Sequence, residues 1–487
     1  MHTKRFLCFY LFLVSALCAQ LGYGQNLTIS DSGETGISGT NWSISGNILT
    51  STENASIHPT VIEKALDSGD FSILVTGEKG TILIQSPIRS SEGHVLKLIA
   101  QSSIQVYEAI EISGGEIYLS VTDNQIAQGS IFIDGDISVA SASGQGGNIL
   151  LEAKNIILSE KAVLTATGPT GGGNILIGGD WQGGASIENR VFEEPNKLKQ
   201  ATKVSMHAKA IINASATENG NGGTVVLWSD IKNPTSVTKA QGTIYAKGGS
   251  RSGDGGKIET SGFELLISGI EVKADAPKGV SGSWLLDPYD YVIGSSQATT
   301  ISNALTDGIT VTVSTEGNIS SYGSIGSNSD SGSIYVNAAI SGIGSGNLSL
   351  QADNFIYFNA DVITTGNQSY SGRVFIKKAS LSLSTNGGDI TFYNDIYGLT
   401  GSESLSINAG SGAVVFNGKV GLDGDAISLV STNQRITSDA HVDTQGVFLY
   451  GANAGDSTQT VNDVSFLGFG LDDPKSGMRI AAANKLN

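Results

Sequence analysis

The chain has 487 residues, a formal net charge of −17, 64 glycines and only 8 prolines. Abundant glycine without a three-residue period or matching proline excludes collagen, and so large an acidic surplus excludes nucleic acid as a partner. Apolar residues make up 39% and recur in ordered clusters, against disorder, whereas aromatics at 7% are too few for a broad aromatic core.

In chain order, the first element is a targeting segment. Lys4 and Arg5 precede an apolar run from Phe6 to Ala19, and the small residues Gly22 and Gly24 stand before Gln25. This is the layout of a secretory signal peptide over residues 1–24, cleaved after Gly24, with an apolar run too short to span a membrane. Both cysteines, Cys8 and Cys18, fall inside it, and the bulky Leu17 before Cys18 makes a poor lipoprotein site. Taking Lys4 and Arg5 from the 28 basic residues leaves 26 against 45 acids, a net −19, and no cysteine beyond residue 24. Without disulfides, the usual staple of small exported domains, cohesion must come from hydrogen-bond ladders and a stacked core.

From residue 80 onward a short unit recurs: glycine, any residue, aliphatic, any residue, apolar. It spans 80–84, 115–119, 129–133, 147–151, 173–177 and 223–227, then 332–336, 346–350, 372–376, 388–392 and 412–416. Alternating apolar residues mark one face of a strand, and the glycine permits a sharp bend before it. Ile82, Ile117, Ile131, Ile149, Ile175 and Val225 are expected to point inward, and the intervening Leu150 and Leu176 outward. Second strands sit between the copies, at 104–106, 137–139, 156–158, 381–383 and 405–407. Two or three short strands per turn of roughly 20–30 residues predict an all-β repeat solenoid. The competing antiparallel sandwich does not repeat one glycine-led unit over hundreds of residues.

A larger duplication relates Trp42–Ile88 to the stretch from Trp284 to Ile340. Ile62, Ala65, Leu66 and Gly69 align with Ile301, Ala304, Leu305 and Gly308. Each copy carries a short helix, predicted at Thr60–Asp67 and Thr299–Thr306, with a threonine near its start and a glycine after it. A solenoid end exposes unpaired backbone and apolar core, so both segments read as helical caps. The predicted organisation is a first β-solenoid with its amino-terminal cap over 25–284 and a second with its own cap over 285–487.

From about Gly171 to Ile293 a run of motifs follows in order. "GGDWQGG" (178–184) leads to "INASATENGNGGTVVLWSD" (212–230), "GTIYAKGGSRSGDGGKIETSG" (242–262) and "GIEVKADAPKGVSGSWLLDPYDYVI" (269–293). This run resembles the repeat region of filamentous-haemagglutinin-type exoproteins, the large adhesins of two-partner secretion. The resemblance covers roughly a quarter of the chain. It implies a right-handed parallel β-helix, a role in surface attachment or biofilm, and an outer-membrane export partner. The chain departs from the family in lacking the Asn-Pro-Asn-Gly motif of the secretion domain. Within the matched motifs, Trp284, Leu285 and Leu286 supply a bulky apolar strand that Asp287-Pro288 stops in a turn. Trp228 behaves alike before Ser229-Asp230, and both tryptophans read as core plugs.

Parallel β-helices include enzymes acting on acidic polysaccharides, so paired carboxylates matter. Asp134 with Asp136, Asp287 with Asp290, and Asp423 with Asp425 are the candidates, and each pair reads as turn acids beside glycine or proline. A uronate lyase needs clustered cations, but Arg89, Arg190, Arg251, Arg373, Arg435 and Arg479 are well separated. His58, His94, His207 and His441 lack ligand spacing, so no zinc site is expected. "GLDGDAISL" (421–429) echoes one calcium repeat without the tandem copies a calcium roll needs. "GDGGKIE" lacks the spacing and hydroxyl of a phosphate loop. The expectation is therefore a non-enzymatic, cofactor-free, adhesin-like surface protein that binds host or neighbouring-cell glycans or matrix proteins through a long repetitive face. A matrix or filament component without a ligand is the alternative, followed by a β-helical polysaccharide lyase or glycoside hydrolase.

Overall fold

The computed structural model describes residues 26–418 apart from 33–34, 78, 123–128, 186–189, 192–197, 316–330 and 400–402, together with the strands at 428–431, 435–438 and 463–466. Short strands follow one another around a solenoid whose faces are long parallel sheets. The first face has ten strands, running from the amino-terminal edge at Ile37–Gly39 to Glu264–Leu266. The second has seven, from Ile88–Ser90 to Ile270–Lys273. The third runs the length of the described chain. A further five-stranded sheet begins at Ile340–Gly342. Among the described residues, antiparallel pairs occur at the amino-terminal end, where Ile37–Gly39 meets Ala55–Ile57 and Trp42–Ser45 meets Ile48–Ser51.

Register fixes what faces inward. On the first face Ile82, Ile104, Ile131, Ile156, Val204, Thr238 and Leu265 are successive partners, separated by 22, 27, 25, 48, 34 and 27 residues. The 48-residue step marks an insert between Asn174–Ile177 and Lys203–Met206. On the third face Leu96, Ile117, Ile149, Ile175, Val225, Ile258, Trp284 and Val311 form one buried column. All six residues expected inward are fully buried. Every coil hides its apolar edge only against its neighbours, so the core is continuous along the axis.

The recurring glycine has a reason beyond a bend. Gly147, Gly173, Gly223, Gly256 and Gly282 lie in a column, and a Cβ on each would strike the carbonyl oxygen of the glycine one coil below. None of the five has a left-handed φ; the demand is for space between coils.

Two polar side chains inside the stack are matched by hydrogen-bond partners. The indole N–H of Trp284 donates to Thr260 Oγ1 at 3.0 Å, and Thr260 sits in register between Leu227 and Leu286. Gln368 takes a column position otherwise held by Leu348 and Ile390. Its amide donates to Ser384 O at 2.8 Å and accepts from the Tyr370 hydroxyl at 2.8 Å. Both buried groups avoid the desolvation cost of an unmade bond.

Helix α1, Pro59–Leu66, starts with Pro59 at its first turn and His58 accepting the Thr60 N–H, and it buries Ile62 and Leu66 over the edge strand Ile88–Ser90. Helix α2, Ser295–Thr306, buries Ala298, Ile301, Ala304 and Leu305. It packs against Ile270–Lys273 on one side and Ile340–Gly342 on the other, bridging the end of one sheet and the start of the next. Four of its hydroxyls, on Thr299, Thr300, Ser302 and Thr306, bond back to carbonyls one turn earlier. Around residue 284 the first and second sheets end, while the third is continuous from Lys257–Gly262 through Ser283–Pro288 to Thr310–Thr315. Asp287 and Pro288 belong to that strand, paired with Ser261 and Gly262, so the expected turn begins one residue later.

Adding one methyl group within the glycine column should be far more damaging than adding it elsewhere. Gly223→Ala is expected to cost on the order of 3 kcal/mol in a denaturant melt, as overpacking against backbone does. Gly36→Ala, where the new carbon meets nothing within 4 Å, is the control and should be nearly neutral. Equal costs at the two positions would refute the close-stacking explanation.

Candidate functional site

Among the described residues the interior of the solenoid is a continuous cluster of buried apolar side chains, which directs the search for a site to the outward faces. The candidate carboxylates Asp134, Asp136, Asp287 and Asp290 have separate surroundings. Asp134 accepts the Ser159 hydroxyl at 2.5 Å and pairs with Lys161 at 2.9 Å. Burial acts to raise its pKa, but the Ser159 bond and Lys161 outweigh burial and hold it below the ordinary value. Asp136 is exposed at the start of its strand. Asp290 accepts the Ser333 N–H at 2.9 Å, whereas Asp287 is buried on the third face. Asp423 and Asp425 lie outside the described residues. Among the described arginines, Arg89 pairs with Glu111, Arg251 with Glu218, and Arg190 donates to Gly184 O; Arg479 and the Arg435 side chain lie outside the described residues. Among the described residues no group of three metal-ligating side chains gathers.

Two outward surfaces stand out. The first is covered. Tyr118, Leu150, Leu176, Val226, Glu259 and Leu285 are register partners pointing away from the lumen on the third face. Leu150 and Leu176 were expected to be exposed at such positions, but both are buried. The insert folds back over them and builds a second small core with Val226, Trp228, Leu198 and Ile231. Trp228 is thus a core residue outside the lumen, unlike Trp284. Asp180 opens the insert's short helical turn by accepting the Trp181 N–H at 2.7 Å and also holds the Val191 N–H at 2.9 Å. Gln182, Gly183 and Gly184 then take left-handed backbone angles, and a Cβ at Gly183 would meet the Trp228 ring.

Glu259 lies under this cover. Its carboxyl accepts the Gln182 N–H at 2.8 Å and the Ser261 hydroxyl at 2.9 Å. Burial is the main cause that pushes its pKa up to about 8, aided by the nearby acids Asp287 and Asp180 against those two hydrogen bonds. Glu152 is also under the insert; it accepts the Tyr118 hydroxyl at 2.7 Å and lies 3.7 Å from Lys199. These contacts fasten the insert to the platform.

The second surface is open. Leu348–Phe358 and Gln368–Ile376 are long strands that each join two ladders, and their later halves pair with Ile334–Val336 and Ile396–Gly398. Inward positions carry Ile334, Val336, Ile356, Phe358, Val374, Ile376 and Ile396. Outward positions put Tyr335, Tyr357, Phe375 and Tyr397 in register, with ring centroids 4.9, 5.6 and 4.9 Å apart. Phe355 joins from one side, 5.2 Å from Phe375. Tyr335, Phe355, Phe375 and Tyr397 are half-buried, leaving ring surface accessible. Lys377 Nζ lies 3.9 Å from the Tyr357 ring centre, and the Arg373 guanidinium 4.3 Å from that of Phe355. Along the other border Asn359 donates to Asn337 Oδ1 at 2.7 Å.

Neither surface was among the candidates read from the sequence. Glu259 could have been found as the one charged residue in a column of Leu150, Leu176, Val226 and Leu285. The aromatic column repeats an apolar–aromatic–apolar triplet at Tyr335, Tyr357 and Phe375, which a search for acids, cations and histidines passes over. No protein-family model matches the chain, and no curated protein matches it.

Two outcomes test the covered surface. Leu176→Asp should loosen the insert, speeding proteolysis within 178–202 while far-ultraviolet circular dichroism stays that of a β-solenoid; Ile175→Asp should collapse both. Loss of the solenoid in both variants would mean that the insert is part of the main core. Glu259 binds its proton more tightly in the folded chain (pKa about 8) than an ordinary glutamate does (4.5), so its stabilising contribution is full below pH 4.5 and is lost as pH rises to about 8. Glu259→Gln should therefore gain melting temperature relative to the parent on going from pH 5 to pH 9. A pH-independent difference would contradict a buried neutral carboxyl.

Proposed function

We propose that the chain is an exported, adhesin-like surface protein that attaches to glycans through the outward face of its solenoid. The observation that carries this reading is the column of Tyr335, Tyr357, Phe375 and Tyr397 stacked in register, in which Tyr335, Phe375 and Tyr397 keep accessible surface around a buried Tyr357. Aromatic faces with polar borders bind the apolar faces of sugar rings while side chains at the rim meet hydroxyls. A rigid strip one coil per ring offers several weak contacts to one extended chain, and linked weak contacts add through effective concentration. Such a strip suits attachment better than turnover. The signal-like segment at 1–24 and the resemblance to two-partner-secretion adhesins support display at a bacterial surface, with an outer-membrane partner for export. Among the described residues no helix is long and apolar enough to cross a membrane.

The test is a glycan and matrix-protein array probed with the secreted chain, then with Tyr335→Ala combined with Phe375→Ala. Loss of two stacking rings at about 1 kcal/mol each should lower affinity for the glycans bound at least about tenfold. The melting temperature should fall only modestly, since both rings lie outside the main core. An array with no glycan signal, or signals unchanged in the double variant, would overturn the reading.

A further inference from the structure

We infer that the aromatic column takes an anionic polysaccharide, one whose sugar rings carry carboxylate or sulfate groups. This rests on the attachment reading and narrows it to a ligand class. The chain as a whole is strongly acidic, at −17, and several of its cations are paired with carboxylates. Lys161, Lys209, Lys247, Lys273 and Lys378 all sit within 3.1 Å of a carboxylate oxygen. Arg373 and Lys377 are set apart by where they sit, beside the aromatic column. Both are exposed, and among the described residues neither has a carboxylate within salt-bridge distance. Each charge is held instead over a ring of the column: Arg373 over Phe355 at 4.3 Å, Lys377 over Tyr357 at 3.9 Å.

The two cations are also aimed. One Arg373 terminal nitrogen donates to Asn354 Oδ1 at 2.8 Å, which fixes the guanidinium plane and leaves further N–H groups to face solvent. A planar fork so fixed suits a bidentate carboxylate or sulfate, and the ammonium of Lys377 supplies a second point charge. Arg373 stands on the strand Gln368–Ile376 and Lys377 follows directly after its end, with the outward Phe375 between them. A sugar lying on Phe375 would therefore have a cation toward each end. The nearest acids by register are accounted for: Asp395, beside Ile396 on the next strand, accepts the Tyr397 hydroxyl at 3.2 Å and makes no salt bridge to Arg373, and Asp361 is engaged by Lys378. In a chain that repels polyanions overall, two cations without a salt-bridge partner among the described residues, set beside an aromatic strip, are a selective feature and not a general attraction.

The experiment measures binding of the full chain to three probes: polygalacturonate, its fully methyl-esterified form, and inorganic polyphosphate. The ester keeps the sugar backbone and removes the charge; polyphosphate keeps charge and removes the sugar. Polygalacturonate should bind, the ester at least tenfold more weakly, and polyphosphate should fail to compete. Arg373→Gln with Lys377→Gln should abolish the preference for the acid over the ester and leave the melting temperature unchanged. Tyr335→Ser with Phe375→Ser should abolish binding of both sugars. An ester that binds as tightly as the acid, or neutral array members bound while both polymers fail, overturns the anionic inference but leaves attachment standing. Polyphosphate competing as well as polygalacturonate overturns it too, since charge alone would then explain binding. A wholly blank array overturns attachment itself.

Discussion

The distance between one coil and the next governs everything else in this protein. Parallel strands stack about 4.8 Å apart because their hydrogen bonds run along the axis. That spacing is held through the corners only where Gly147, Gly173, Gly223, Gly256 and Gly282 leave room for the carbonyl beneath. Once the coils are locked in register, identical side-chain positions line up into columns. Inward columns of isoleucine, leucine and valine make the core, and no disulfide is needed to hold it. Outward columns inherit the same alignment, so any residue type repeated there becomes a strip on the surface.

Those outward strips are put to two uses. Between Tyr118 and Leu285 the strip is apolar with Glu259 in its middle, and a 48-residue step lets the insert cover it. Burying a carboxyl there raises its pKa to about 8, and protonation removes the cost of an unpaired charge. From Tyr335 to Tyr397 the strip is aromatic and partly accessible, its buried ring Tyr357 lying beneath Lys377, with Arg373 over Phe355. The same geometry yields a sealed platform in one half and an open one in the other. The difference is what the connecting segments do after each strand.

The parallel stack was legible because its signal is periodic. Ile82, Ile117 and Ile149 follow a glycine at fixed spacing, and alternation assigned their faces correctly. Both helices were found within a few residues of their ends from their threonine starts and closing glycines. The outer surfaces were not legible for a physical reason: alternation tells inside from outside, not covered from exposed. Leu150 and Leu176 point outward as expected and are buried all the same, because a segment distant in sequence folds over them. Trp228 was read as a core plug like Trp284, yet it fills a different core. The role of the glycines was also misjudged, since a bend and a close approach leave the same letter in the sequence.

The most direct test of the account is the continuity of the third face across residue 284. With no cysteine beyond residue 24, spin labels at Lys97→Cys and Thr312→Cys would report on two outward positions seven coils apart in one register column. Seven steps of strand spacing predict a single narrow distance distribution centred at ~34 Å. A broad distribution, or one centred far from that value, would show that the coils on either side of Trp284 do not share one ladder.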